Sequence, residues 1–229
     1  MVAKPPQTEP GGWRESNWLA VVELGIVALM FVADNHHLVP FSKTPFLLVL
    51  VWVSLRLRRL QWREIGFFRN RSWRATLGIG IAAGLALELF QLYVTQPLLV
   101  RLTGKQPDLS DFASLTGNVK LTLILLMLAW TLAAFGEEIV WRGYLMNRVA
   151  GLGRRSRLAW ICSLLAVNIA FGFSHSDQGL TGQIEESIAG IALGAIYLGT
   201  GSLAVPIVAH GVADTLDFVL IYLGKYPGM

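Results

Sequence analysis

The chain has 229 residues, of which 54% are hydrophobic and only 15% charged, with a mean hydropathy of +0.53 and a formal net charge of +4. A soluble domain carries about 25% charged residues, so this composition excludes a soluble globular domain, a disordered chain and a disulfide scaffold. The class that remains is a polytopic membrane protein, and the single cysteine, Cys162, allows no internal disulfide.

Residues 1–17 read as a polar, Pro/Gly-rich tail. Apolar runs follow at 18–33, 41–57, 75–100, 119–140, 158–175, 184–200 and 203–223. A membrane span needs roughly 20 residues, within about 17 to 25. These runs show no period-two alternation, and only helices or closed barrels satisfy the backbone in lipid. The expected fold is therefore all-α: a polytopic transmembrane helix bundle of about seven spans, six to eight. The first run is read as an uncleaved span, because Phe31-Val32-Ala33 lacks the small residues of a signal-peptide cleavage site. The fourth run is expected to continue as helix to about Val149.

Charge is unevenly placed. Arg56, Arg58, Arg59, Arg63, Arg69, Arg71 and Arg74 form one basic segment, and Arg148, Arg154, Arg155 and Arg157 a second. Two spans separate them, so both segments fall on the same side, which the positive-inside rule makes cytoplasmic. Residues 55–74 mix these arginines with Leu57, Leu60, Trp62, Ile65, Phe67 and Phe68, as expected of an amphipathic stretch on the inner membrane surface. With the basic residues explained this way, nucleic-acid binding is excluded. The chain divides into a tail (1–17), N-terminal spans (18–118, with the basic linker 55–74) and a core of spans (119–223) in which the chemistry is sought.

Eight acidic residues lie inside apolar runs: Glu23, Glu88, Glu137, Glu138, Glu185, Glu186, Asp214 and Asp217, joined by His175 and His210. An ionisable group at the bilayer centre costs at least about 2.5–3.5 kcal/mol, so such groups pair, line water or do chemistry. Most of them follow Val119. Glu138 and Arg142 are i,i+4 and share one helix face, while Glu137 points elsewhere and is left free to act. His210 and Asp214 are also i,i+4, and an aspartate can fix a histidine's tautomer. Counted from the turn near Arg154, Glu137 and His175 differ in depth by only about 6 Å, so one helical hairpin can bring them level. Each group also has a purely structural alternative: solvated helix-end glutamates, an interfacial histidine, and a polar pair that packs two helices. Glu185 and Glu186 are expected at the start of span six, where glutamate suits a helix N-terminus.

Three motifs stand in order: Glu137-Glu138-x-x-x-Arg142, Phe171-x-x-x-His175 and His210-x-x-x-Asp214. They resemble the EExxxR, FxxxH and Hxxx(N/D) motifs of the CPBP family, which comprises the type II CAAX prenyl proteases and the bacteriocin-processing and immunity-associated (Abi) proteins. The likeness covers about residues 119–220. It implies a membrane endopeptidase with no metal and no cofactor, acting on a peptide or membrane-protein substrate that is lipidated in the eukaryotic examples. It further implies an integral protein of a bacterial plasma membrane. Carried over, the catalytic set is Glu137, Glu138, His175, His210 and Asp214. Glu137 is the general base on water, with His175 beside it. His210 and Asp214 form the oxyanion side, and Glu138, Arg142 and Phe171 support them. Asp214 departs from the asparagine alternative, since an ionised aspartate cannot donate to an oxyanion. Asp214 is therefore expected to orient His210, which supplies the donor. The competing readings are a zinc hydrolase, which lacks an H-E-x-x-H pair, a non-proteolytic scaffold or immunity protein, and a transporter, for which no inverted repeat is evident.

Overall fold

The computed structural model describes residues 12–67 and 72–228. Residues 1–11 of the tail, and Phe68, Arg69 and Arg71 of the basic linker, lie outside the described residues. All seven apolar runs are helical. The elements in order are α1 (Asn17–Asn35), α2 (Thr44–Arg58), a short turn Trp62–Ile65, α3 (Trp73–Phe90), α4 (Gln96–Thr103), α5 (Val119–Leu128), α6 (Met146–Leu152), α7 (Arg157–Phe173), α8 (Gly179–Thr200) and α9 (Ala204–Tyr222). Local chemistry sets several starts. Ser16, Ser72, Asn118 and Ser156 each accept the backbone N–H three residues on, capping α1, α3, α5 and α7.

Two of the helices carry wider turns. A π-helical stretch, Gln91–Thr95, joins α3 to α4, and a longer one, Ala129–Leu145, joins α5 to α6. The run expected to reach Val149 is thus one continuous helix over Val119–Leu152, wound for half its length with i→i+5 bonds such as Met146 N to Trp141 O. By length and composition four helices can cross a membrane: Asn17–Asn35, Trp73–Thr103, Val119–Leu152 and Ala204–Tyr222. Helices α7 and α8, bent by 65° at their break, pass the same test only when taken together, which gives up to five. Of the shorter helices, α2 has 15 residues and α7 has 17.

The burial pattern is that of a protein dissolved in lipid. Leucine, isoleucine, valine and tryptophan side chains of α1, α3, α5 and α7 are exposed, among them Trp18, Leu29, Ile79, Leu89, Leu123 and Leu165. Glu23, Glu88, Glu138, Arg142, Arg148 and Glu185 are buried. Lipid tails solvate the first set, and the bundle interior gives the second its partners. The chain is an integral membrane protein.

The π segment is the centre of the bundle. Every residue from 138 to 148 is buried. Ile139, Val140, Trp141, Tyr144 and Leu145 pack with Leu47, Val51 and Leu55 of α2, with Val167 and Phe171 of α7, and with Tyr197 and Leu203. Across the bundle α3 lies directly on α9. A Cβ on Gly80 would come within 2.6 Å of Val208, and one on Gly84 within 2.8 Å of Val212. The two contacts keep the same sequence offset, so α3 and α9 run in the same direction. Arg58 and Arg148 meet the same carboxylate, Glu23, which brings the two basic segments to one end of the bundle. In the linker, Leu55 and Ile65 are buried while Arg56, Arg59 and Arg63 are exposed.

Candidate active site

The site grows from the π segment. Arg142 Nη1 donates to Glu138 Oε1 at 2.8 Å, and neither side chain has any exposed surface. The i,i+4 pairing read from the sequence is therefore present, at a depth where losing one partner costs about 3–5 kcal/mol. The same oxygen, Glu138 Oε1, lies 3.0 Å from His210 Nδ1 on α9. A carboxylate oxygen accepts, so Nδ1 carries the proton and donates. His210 Nε2 lies 3.5 Å from Asp214 Oδ1 one turn on. The result is a continuous chain, Arg142–Glu138–His210–Asp214, running from the fully buried interior to a side chain with 21% of its surface exposed.

The sequence contains both ends of that chain but not its link. It pairs Glu138 with Arg142 and His210 with Asp214, each over four residues. The contact between Glu138 and His210, 72 residues apart, has no local signal. It also means that the shorter contact orienting His210 comes from Glu138 rather than from Asp214.

Phe171 holds the group together. Its ring centroid lies 5.3 Å from that of Trp141, 4.8 Å from His175 and 6.4 Å from His210. The Arg142 guanidinium sits 4.4 Å from the same ring, a cation–π contact in a dry interior. Phe171 is thus the apolar hub between the first and third motifs. His175 lies just past the end of α7, and its Nδ1 is 3.0 Å from the carbonyl of Phe171. A carbonyl only accepts, so this nitrogen too is the protonated one. The neutral ring then keeps Nε2 as an acceptor, and among the described residues Nε2 has no partner.

Glu137 is half-buried on the π segment, and among the described residues its carboxylate makes no hydrogen bond or ion pair. Of the seven residues singled out from the sequence, the structure joins Glu138, Arg142, Phe171, His175, His210 and Asp214 through direct contacts. Glu137 makes no hydrogen bond with them, and its charge lies near enough to act on both His210 and Asp214. Some polar capacity is also left over: Glu138 Oε2, Arg142 Nε and Arg142 Nη2 are buried without partners. Among the described residues no group of three or more His, Cys, Asp or Glu side chains is arranged to hold a metal ion.

A second acidic group lies toward the other end of α9. Glu88 is buried, with its carboxyl in hydrogen-bonding reach of Asp217, and Glu185 accepts from Thr95 Oγ1 at 3.2 Å. The expectation for Glu185 and Glu186 needs correcting. Helix α8 begins at Gly179 and has no acidic residue in its first turn, so both glutamates sit further along, with Glu185 buried against the Thr95 hydroxyl. Tyr226, beyond the last helix, is held above the usual phenol range by burial and by the carboxylates of Asp217, Glu88, Glu185 and Glu186.

Residues 119–216 match the family model described as "Type II CAAX prenyl endopeptidase Rce1-like". The match opens on the first residue of α5 and closes inside α9, so it takes in all three motifs. No curated protein and no solved structure gives a significant match to this chain.

Proposed function

We propose, from the match of residues 119–216 to the type II CAAX prenyl endopeptidase family model, that the protein is an intramembrane endopeptidase that cleaves a peptide bond with a glutamate-activated water. The observation that carries this reading is the division of labour between the two adjacent glutamates. Glu138 is committed to Arg142 and His210, whereas Glu137 has no partner among the described residues and is only half-buried. A general base needs a free lone pair, and Glu137 keeps its own.

The steps follow from the tautomers. Glu137 takes a proton from water, and the water oxygen bonds to the scissile carbonyl carbon as the C=O electron pair moves onto oxygen. His175 Nε2, free to accept because Nδ1 is bound to the Phe171 carbonyl, steadies the attacking water. The tetrahedral oxyanion needs donors aimed at it. His210 supplies one through Nε2–H as an imidazolium protonated on both nitrogens between two carboxylates, its orientation held by Glu138 at Nδ1. Asp214, 3.5 Å from that nitrogen, is a counter-charge beside it before substrate arrives. Collapse of the intermediate breaks the C–N bond, and the proton held by Glu137 passes to the leaving amine. Arg142 keeps Glu138 in place and Phe171 keeps the two histidines apart; neither touches the reacting atoms.

The substrate is a peptide or membrane protein, lipidated where the family's prenyl specificity applies. On this reading the arginine-rich end faces the cytoplasm, following the positive-inside rule. The test compares peptide termini in membranes and medium from a deletion strain carrying nothing, the wild-type gene, or Glu137→Gln at matched expression. Termini that arise only with the wild type establish cleavage and identify the substrate. Unchanged termini together with rescue of a deletion phenotype by Glu137→Gln overturn the proposal in favour of a non-proteolytic scaffold or immunity role.

A further inference from the structure

The family match begins at residue 119, yet a side chain from far earlier reaches the turn that carries His175. Lys43 Nζ lies 2.8 Å from Asp34 Oδ2 and donates to the Ser174 carbonyl at 3.4 Å. It also sits 5.7 Å from the centre of the Phe31 ring, and only 16% of its side chain is exposed. Ser174 is the C-cap of α7 and the immediate neighbour of His175. The last carbonyls of a helix have no intrahelical donor and carry the negative end of its dipole, so an ammonium group suits them. A second tether lies on the other side of His175, where Ser176 Oγ donates to Asn35 Oδ1 at 3.1 Å. The turn is therefore bound, before and after the histidine, to the end of α1 and the residue that opens α2. Phe31 continues the same support, its ring 5.1 Å from that of Trp141 in the π segment.

We propose that Lys43 is a positioning residue for His175. By holding the Ser174 carbonyl from the α1–α2 connection, it keeps the turn in the geometry in which His175 Nδ1 donates to Phe171 and Nε2 stays free to accept. The catalytic part of this inference rests on the peptidase reading; the tautomer part does not. Asp34 is the counter-charge that aims the ammonium, and Lys43 itself touches no reacting atom.

The chain has four histidines, His36, His37, His175 and His210, so full-length protein labelled with 15N-histidine in detergent micelles gives a readable spectrum. His175→Gln identifies the His175 signals. With the ring neutral, the wild type is expected to show a protonated Nδ1 and a bare Nε2 at His175. Lys43→Met shifts His175 to a tautomer mixture, and Lys43→Arg restores it. On a peptide identified by the terminus comparison, Lys43→Met lowers kcat by about tenfold, within the range that small misplacements cost, leaves KM and the melting temperature near wild type, and is rescued by Lys43→Arg. Unchanged His175 signals in Lys43→Met overturn the proposal. So does a loss of kcat that follows a lowered melting temperature and is not rescued by arginine. If wild-type protein cleaves nothing, the peptidase reading fails, and the tautomer measurement still decides the role of Lys43.

Discussion

Two buried carboxylates, Glu23 and Glu138, sit among arginines in this bundle and do different things with the same chemistry. Glu23 is satisfied on both oxygens. Ser54 and Arg58 Nε donate to Oε1, Arg58 Nη2 donates to Oε2 at 2.8 Å, and Arg148 lies 3.4 Å away. Arg148 also stacks over Tyr144, 5.0 Å from the ring centre. This node joins α1, α2 and α6, and Arg58 Nη1 also donates to the Arg14 carbonyl at 2.7 Å. Glu138 has one oxygen shared by Arg142 and His210, while the other is buried and bare, and its network continues through His210 to a partly exposed aspartate. A closed node fixes helices in place; an open one that reaches a half-exposed edge can exchange a proton or meet a substrate. Burial and pairing alone do not separate the two. What separates them is whether the carboxylate's lone pairs are all used.

The comparison yields paired experiments. The largest effect on stability is expected from Glu23→Gln, which leaves Arg58 and Arg148 without a counter-charge. Loss of one partner of a buried pair costs about 3–5 kcal/mol, read as a large drop in melting temperature in detergent, with kcat of the protein that remains folded near wild type. Glu138→Gln makes the same chemical change in the open node and is expected to lower both stability and kcat. An undiminished kcat in Glu138→Gln would erase the distinction between the nodes. His210→Ala removes the proposed oxyanion donor and is expected to lower kcat by about 10²–10³, the loss seen for one such donor. Asp214→Asn is milder. Glu138 still orients His210, so activity falls by less than about tenfold, equivalent to about 1.4 kcal/mol; a loss as deep as that of His210→Ala would show that Asp214 acts in its own right. The smallest effect is expected from exhaustive chelation: cleavage of the identified peptide continues at the wild-type rate, and recovery of lost activity by added zinc would refute the glutamate–water mechanism.

How much of this was legible in the chain follows from the range of each interaction. Hydropathy is local, so all seven helical runs can be read directly. Side chains four residues apart share a helix face, so Glu138–Arg142 and His210–Asp214 can also be read, and with them the reason Glu137 is left over. The bonding within Ala129–Leu145 is less legible. Its i→i+5 pattern depends on the packing around it, and no residue in the stretch demands a π turn. Lys43 lies near the start of the apolar run 41–57, and nothing local in the sequence marks its partner. Its contact with Ser174, 131 residues away, exists only in the folded bundle.

The sequence by itself determined that this protein lives in lipid, that it is built of helices, and which polar residues had to find partners, because transfer energies and helical periodicity act on neighbouring residues. Only the tertiary structure decided which partners they found. A buried charge pairs with whatever the packing brings within about 3–4 Å, and helix packing is set by many weak contacts spread over the whole chain. So Glu23 became a clamp, Glu138 the link between two motifs, and Lys43 a neighbour of the turn that carries His175.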